Sequence, residues 1–205
     1  MYEYVGHLHI HSTHSDGSAK VAEIAQAAKK SNLDFIILND HNTLQGRKNG
    51  EEGFQDGVLV LAEAELETRD KKHHCLVLGL QEIPEAVNRP EELLAGIKEQ
   101  GGLSFLAHPL EIGSPILFGG RAFTWEEIPT HGFDGIEVWN YCSRWKDGVR
   151  TISRGFFNYF FKQPGLALSP CPLTIKKWDE LTLHRPVAAV GGSDAHALNY
   201  RFGPL

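Results

Sequence analysis

The chain has 205 residues, 41% of them hydrophobic, and a formal net charge of −6 at pH 7. This composition excludes wholesale disorder, its acidic balance argues against a nonspecific nucleic-acid coat, and no apolar run approaches the length of a membrane helix. Three widely spaced cysteines without a Cys-x-x-Cys pair argue against a disulfide framework and favour a reducing, cytoplasmic setting, whereas the 11 histidines are unusually many and are clustered.

The predicted elements alternate between helices and short apolar strands. Ser18 is expected to cap a helix over residues 19–30, and Pro90 to begin another that Gly101 and Gly102 end. Residues 140–183 are expected to form helix plus a long loop. Strands are predicted over residues 33–38, 58–61, 75–80, 103–106, 135–139 and 186–190.

This alternation predicts a parallel sheet surrounded by helices. Almost every predicted strand is followed by His, Asp or Glu, and in a barrel of parallel strands those ends converge on one mouth. An open, doubly wound sheet would gather fewer strand ends at one switch point, so a barrel is favoured. The usual eight-stranded barrel needs about 250 residues. The 205 residues therefore indicate one domain that is either a smaller, distorted barrel or a barrel cut short at its C-terminus.

The first histidine cluster lies in the segment Gly6-His-Leu-His-Ile-His-Ser-Thr-His-Ser-Asp-Gly17. Side chains two apart on a strand face the same way, so His9 and His11 can hold one metal ion, and Asp16 in a tight turn can return a carboxylate to them. A lone histidine is more often a core or surface residue, but four in eight residues with an acid favour a site. His7 and His14 are expected to have supporting or structural roles.

Two further motifs follow predicted strands. His41 in Asp40-His-Asn-Thr is a candidate ligand, and Asp40 is its expected hydrogen-bond partner, although this motif also suits a turn before a helix. Glu63, Glu65 and Glu67 face one way on a strand, and Glu65 is the candidate for a carboxylate that bridges two metal ions. A solvated strand face is expected to explain Glu63 and Glu67.

The remaining candidates lie near later strands. One of the neighbours His73 and His74 is expected to point inward, and the alternative is that both are exposed loop residues. His108 lies at a strand end where the following proline keeps the backbone extended. Asp194 and His196, two residues apart, pair an oxygen ligand with an imidazole.

Together these motifs supply nine candidate ligands with nitrogen and oxygen atoms and no thiolate. They are His9, His11, Asp16, His41, Glu65, His74, His108, Asp194 and His196. A structural zinc ion takes four ligands, so nine suit two or three ions that share a bridging carboxylate. Such sites activate water near neutral pH, most often for displacement at phosphorus.

These residues resemble the motifs of the polymerase and histidinol phosphatase (PHP) family. The match runs from about residue 6 to 203 and comprises the opening His9-x-His11 with Ser-Asp16-Gly, then Asp40-His41-Asn-Thr, Ala-His108-Pro and Gly-Ser-Asp194-Ala-His196, in the family's order. The resemblance implies a distorted (β/α)7 TIM-like barrel, two or three divalent ions (manganese, iron or zinc) and hydrolysis of phosphate esters.

The resemblance also implies how the ligands are divided. The first ion would take His9, His11, Glu65 and Asp194, the second Glu65, His74 and His108, and the third Asp16, His41 and His196.

The chain departs from the family's pattern at several positions. His7 stands where the family often has Asp, and Glu63 where it usually has Gly, which leaves Glu63 and Glu67 as rivals to Glu65. The ligand after the bridging acid has variable spacing, so His73 and His131 remain rivals to His74. By resemblance, Glu137 is expected to do structural work or to support the ligands.

The chain is therefore expected to be a metal-dependent phosphoesterase in which a metal-bound hydroxide attacks phosphorus and Asp194 or His196 moves protons. Its expected partner is a small phosphorylated substrate, including a nucleotide or short oligonucleotide, with no membrane and no stable nucleic-acid partner. The alternatives are an enzyme of the ester- or amide-cleaving, carbaryl-hydrolase-like branch and a non-catalytic metal-binding scaffold.

Other side chains have two interpretations each. The candidates for binding a substrate phosphate are Arg121, Arg144, Lys146 and Arg201. The alternative interpretation of each is an ordinary surface charge. The candidates for stacking on a base are Trp139, Tyr141 and Trp145. The alternative interpretation of each is packing in the core or in a lid.

Overall fold

The computed structural model describes residues 2–160 and 165–197. Its strands are β1 Gly6–Ile10, β2 Phe35–His41, β3 Gly53–Gln55, β4 Val58–Glu67, β5 His74–Leu78, β6 Leu103–Leu106, β7 Gly135–Asn140 and β8 Ala188–Ala195. Its helices are α1 Val21–Lys30, α2 Gln45–Lys48, α3 Pro90–Glu99, α4 Tyr141–Gly148, α5 Ile152–Phe160 and α6 Pro172–Thr182, with 3-10 turns at Phe118–Gly120 and Gly165–Leu168.

Seven of the strands close into a barrel. The order is β2-β1-β8-β7-β6-β5-β4, β2 also pairs with β4, and β3 is added to β4 as the other arm of a hairpin. This confirms the expected distorted seven-stranded barrel. Two strands differ from the expected parallel sheet: β3 runs antiparallel to β4, and within the barrel β5 runs antiparallel to both β4 and β6. Only residues 68–73 join β4 to β5, and a parallel crossover needs a dozen residues or more.

The helices pack against the barrel through apolar stripes. In α1, Val21, Ile24, Ala25 and Ala28 are buried in the cluster that also holds residues of β1, β2 and β4. A second cluster joins α3, α6 and the strands from β4 to β7. In the described part of the chain, no helix has both the length and the apolar character needed to cross a membrane.

Several boundaries differ from the prediction. Helix α1 begins at Val21, and Glu23 accepts a hydrogen bond from the Lys20 amide, so Ser18 is not its cap. Ser18 Oγ instead donates to the carbonyl oxygens of His196 and Ala197. Strand β4 continues to Glu67 and β8 to Ala195. Both strands are longer than predicted and include acidic residues, such as Glu65 and Asp194, that the prediction placed after the strand end. The described part of residues 140–183 holds the helices α4, α5 and α6 and a 3-10 turn, whereas helix plus a long loop was expected.

Gly192 in β8 is a position where the fold has no room for a side chain. A Cβ atom there would lie 2.6 Å from His9 Cβ, 2.7 Å from Glu137 Oε1 and 2.9 Å from the Leu8 carbonyl oxygen. At its neighbour Gly191 the nearest atom, on Trp139, would be 3.4 Å away.

Gly192→Ala is therefore expected to lower the free energy of unfolding by about 1–3 kcal/mol, because the backbone or His9 must shift. Gly191→Ala is the control and is expected to change it by less than about 0.5 kcal/mol. Urea denaturation of both variants measures the difference. Equal stabilities would contradict the crowding at Gly192.

Candidate metal centre

The nine candidate ligands meet at one end of the barrel. His41 and Glu65 lie at or near the ends of β2 and β4, His108 follows β6, and Asp194 and His196 lie at the end of β8. Because β5 is antiparallel, its first residue, rather than its last, lies at this end. The residues brought together are His9, His11, Asp16, His41, Glu65, His74, His108, Asp194 and His196.

Glu65 is the centre of this cluster and is 1% exposed. Its Oε2 lies 3.4 Å from Nε2 of His9, 3.4 Å from Nε2 of His11 and 3.2 Å from Nδ1 of His41. Its Oε1 lies 3.0 Å from Nδ1 of His74 and 3.3 Å from Nε2 of His108. One buried carboxylate therefore contacts five imidazoles.

Two other carboxylates extend the cluster towards solvent. Asp194 Oδ1 lies 3.3 Å from His9 Nε2 and 3.1 Å from His11 Nε2. Asp16 Oδ1 lies 3.3 Å from His196 Nε2, and its Oδ2 lies 3.8 Å from His41 Nε2. Among the residues that the structure describes, ligand atoms within 4.8 Å of one another form four sets, namely His9–His11–Asp194, His9–Glu65–His108, His11–Asp16–His41–His196 and His41–Glu67–His74.

Outer acceptors determine which ring nitrogen faces the cluster. His9 Nδ1 lies 2.8 Å from Glu137 Oε1, and His108 Nδ1 lies 2.9 Å from the Phe123 carbonyl oxygen. His196 Nδ1 lies 2.8 Å from the Asp194 carbonyl oxygen. Each Nδ1 must donate to its oxygen, so in the neutral ring Nε2 carries a lone pair that faces a carboxylate. This is the arrangement in which proteins present histidine to a metal ion.

Unsatisfied polar atoms test whether the cluster fits metal ions. Among the described residues, His9 Nε2, both ring nitrogens of His11, His41 Nδ1 and Glu65 Oε2 are buried and have no hydrogen-bond partner. Buried polar atoms are rarely left unpaired, and lone pairs that face one another repel unless a cation lies between them. The mixed imidazole and carboxylate set suits divalent ions such as zinc, iron or manganese.

Charges in the cluster shift the pKa values of its members. Burial disfavours the charged form of His108, but the hydrogen bond and charge of Glu65 outweigh burial and raise its pKa to about 9. Burial acts in the same way on His41, and Glu67 and Glu65 raise its pKa to about 9. For Glu65 itself, burial is outweighed by His9 and His74, so its pKa falls well below the usual value. Without metal ions, protons therefore balance the carboxylates.

Backbone strain is concentrated in the same place. His9, His108 and Asp194 have φ values of 61°, 29° and 57°, which non-glycine residues rarely adopt. The pairing of β1 with β8 shifts register between Leu8 and Ile10, so the expected simple alternation around His9 is interrupted by an irregularity. Each such residue costs about 1–3 kcal/mol, and such strain persists where surrounding contacts enforce it.

The contacts of Glu63 and Glu67 differ from those of Glu65, the candidate bridging carboxylate. Glu63 lies 2.7 Å from Arg47 Nη2 and accepts a hydrogen bond from the Gly79 amide, away from the histidines. Glu63 and Glu67 were expected on a solvated face, but this is wrong, since each is 8% exposed. Glu67 Oε1 lies 2.9 Å from His41 Nδ1. Both acids are buried because β4 has the barrel interior on one side and a packed layer on the other.

The rival histidines lie outside the cluster. His73 packs against Trp125, and the exposed His131 has a contact with Thr130. His14 Nε2 lies 2.5 Å from Glu51 Oε2. His7 is partly buried in β1.

The roles expected of Asp40 and Glu137 have different outcomes. Asp40 was expected to orient His41, but it accepts hydrogen bonds from the Ser12 amide and from the hydroxyls of Ser12 and Ser15, so it holds the turn after β1. Glu137 contacts His9 and also accepts a hydrogen bond from the His108 amide.

The candidates for gripping phosphate have various positions. Arg144 and Lys146 are buried and pair with Asp147 and Glu111, so neither is an ordinary surface charge. Arg121 is exposed, and Arg201 lies outside the described residues.

The candidates for stacking on a base lie in and after β7. Trp139 is 37% exposed and donates from Nε1 to the Ala167 carbonyl oxygen, and Tyr141 is 42% exposed. Trp145 in α4 is partly buried.

Comparisons with known proteins agree with this geometry. The model of the PHP domain matches residues 7–107. An uncharacterized protein of Methanocaldococcus jannaschii is 34% identical in an alignment of 158 residues that covers 69% of this chain and 84% of that protein.

Two solved structures share the fold at low identity. A candidate metal-dependent phosphoesterase from Bifidobacterium adolescentis superposes with a TM-score of 0.61 at 14% identity, over 99% of this chain and 92% of that one. An amidohydrolase from Chromobacterium violaceum, with bound sulfate and no metal, superposes with a TM-score of 0.52 at 15% identity, over 93% and 87% of the two chains.

Metal affinity is expected to rise with pH. In the metal-free protein His41 and His108 keep a proton up to about pH 9, and a protonated imidazole cannot ligate a metal ion. Mn²⁺ should therefore bind more tightly as the pH rises from 6.5 to 9, with release of protons. Titration calorimetry in two buffers of different ionisation enthalpy measures both quantities, and a buffer-independent enthalpy at pH 7 would contradict the expectation.

The stability of the metal-free protein is expected to change in the opposite direction. A histidine whose pKa is raised from 6.5 to about 9 stabilises the fold fully below pH 6.5 and loses that contribution as the pH rises through 9. The Tm after treatment with a chelator should therefore fall across this range, whereas the Tm of the Mn²⁺-saturated protein should fall less. Parallel Tm profiles would contradict the assignment.

Proposed function

Because the chain belongs to the family of PHP domains, we propose that it is a metal-dependent phosphoesterase that hydrolyses a small phosphate ester or a nucleotide. The observation that carries this proposal is the Glu65 carboxylate among five imidazoles, several of whose buried nitrogens have no hydrogen-bond partner in the described part of the chain. A structural zinc site needs four ligands, and this cluster offers more than twice that number.

The resemblance to the family implies how the ions would be held, and the distances support that division in part. His9, His11, Glu65 and Asp194 would hold one ion, Glu65, His74 and His108 a second, and Asp16, His41 and His196 a third. Among the described residues, the sets of close ligand atoms differ for His74, which lies with His41 and Glu67. Divalent ions in such sites lower the pKa of water and stabilise negative charge on phosphoryl oxygens.

Two residues at the solvent-facing side of the cluster are proposed to act in catalysis. The side chains of Asp194 and His196 are 15% and 19% exposed, whereas those of His9 and His11 are fully buried. In a centre with two ions, in which His196 holds no metal, its Nδ1 is held by the Asp194 carbonyl oxygen and its Nε2 would take up a proton from water and release it to the leaving oxygen. Asp194 Oδ1, 3.7 Å from His196 Nδ1, would stabilise the charged imidazole.

The surroundings of the barrel mouth support a nucleotide as one class of substrate. Trp139 and Tyr141 lie at the end of β7 and at the start of α4, and both are more than a third exposed. An exposed aromatic ring next to a phosphate-cleaving site can stack on a base.

Cleavage of an ester or amide is the second candidate. The fold similarity to an amidohydrolase favours it, since one barrel and one set of ions can polarise a carbonyl group as well as a phosphoryl group.

His108→Ala is expected to lower hydrolysis of p-nitrophenyl phosphate by more than about 100-fold, which exceeds the usual effect of residues outside the ligand shell. His131→Ala is the matched control, because His131 is exposed and lies outside the cluster, and it should retain wild-type activity. Circular dichroism confirms folding of both variants.

The same assay distinguishes the candidates when it includes bis(p-nitrophenyl) phosphate and p-nitrophenyl acetate. Activity on the acetate alone would reject the phosphoesterase in favour of the second candidate. Fewer than two ions for each chain after anaerobic preparation with Mn²⁺ or Fe²⁺ would favour a non-catalytic scaffold.

A further inference from the structure

Glu67 is a buried acid at the edge of the cluster, and it is not one of the nine candidate ligands. It lies two residues after Glu65 on β4, so both side chains point to the same face of the strand. Its Oε1 lies 2.9 Å from His41 Nδ1 and 3.9 Å from His74 Nε2, and these three residues form one of the four sets of ligand atoms.

The contact between Glu67 and His41 is short but is not an aligned hydrogen bond. His41 Nδ1 lies between Glu67 Oε1 at 2.9 Å and Glu65 Oε2 at 3.2 Å, yet in the described part of the chain it has no hydrogen-bond partner. Two carboxylate oxygens thus lie close to one ring nitrogen, but neither is aligned to accept a hydrogen bond from it. A cation placed among them would satisfy all three atoms.

Other contacts of Glu67 do not account for its burial. Lys71 Nζ lies 3.9 Å from Glu67 Oε2, but the Lys71 side chain is 72% exposed, and such pairs contribute little to stability. The closer positive charge is His41 when its ring carries a proton, and a divalent cation held by both side chains would take the place of that proton.

We propose that Glu67 is an additional carboxylate ligand of the metal centre, on the side that His41 and His74 form. The inference rests on the proposed function only in that it requires the centre to bind divalent ions. Glu67 would be a fourth carboxylate ligand beside Asp16, Glu65 and Asp194. It would link the proposed ion site that contains His74 to the one that contains His41.

Titration of the chelator-treated protein with Mn²⁺ tests this assignment without any substrate. Glu67→Gln keeps the size of the side chain and removes its charge, and it is expected to raise the weakest Mn²⁺ Kd at least about tenfold or to remove one bound ion. Glu63→Gln is the matched control, since Glu63 lies on the same strand, is equally buried at 8% exposure and pairs with Arg47 outside the cluster. It should bind Mn²⁺ as the wild type does.

Wild-type stoichiometry and Kd values in folded Glu67→Gln would overturn the assignment, and so would equal losses in Glu63→Gln. If Glu67→Gln does not fold, Glu67→Ala replaces it, and an unchanged weakest Kd in that variant would also overturn the assignment. A wild-type protein that binds ions but cleaves no phosphate ester would refute the proposed function and leave this test intact.

Discussion

A single buried carboxylate contacted by five imidazoles is the interaction on which this structure depends. Glu65 is 1% exposed, and burial of an unpaired charge would be costly. Its partners come from four other parts of the barrel, so they can reach it only when the sheet is closed. The closing pair of strands, β2 and β4, sets His41 directly opposite Glu65 in register. Closure of the barrel and assembly of the cluster are therefore one event.

The cluster is maintained against local strain by acids outside it. His9 and His108 have positive φ values, and Glu137 contacts both, through His9 Nδ1 at 2.8 Å and the His108 amide at 2.8 Å. Gly192 leaves the space in which Glu137 and His9 meet. Asp40 holds the turn after β1 through Ser12 and Ser15. These contacts hold the candidate ligands in place before any ion binds, which lowers the cost of ordering them.

Local motifs predicted the candidate site better than they predicted its surroundings. His108 and His196 were predicted from polar residues at strand ends, because side chains at one end of a closed barrel must converge, and His9 was predicted from its spacing to His11. Glu67 was missed for a physical reason. Alternating acids on a strand predict a solvated face only if one face of the sheet meets water, and whether it does depends on strands far away in sequence. The direction of β5 could not be read from its own residues either, since the short connection to β4 determines it.

Glu67 and Glu137 show how two buried acids of one type differ in what they offer a metal centre. Glu137 is 1% exposed and makes an aligned hydrogen bond with His9 Nδ1, so its charge is used to orient that ring. Glu67 is also buried and comes as close to His41 Nδ1, at 2.9 Å, but the ring nitrogen has no aligned partner in the described part of the chain. The Glu137 carboxylate accepts hydrogen bonds and so positions a ligand. The Glu67 carboxylate lies near a ring nitrogen without an aligned hydrogen bond to it, so its oxygens remain available to a cation. Geometry, rather than burial or charge alone, therefore separates the two roles.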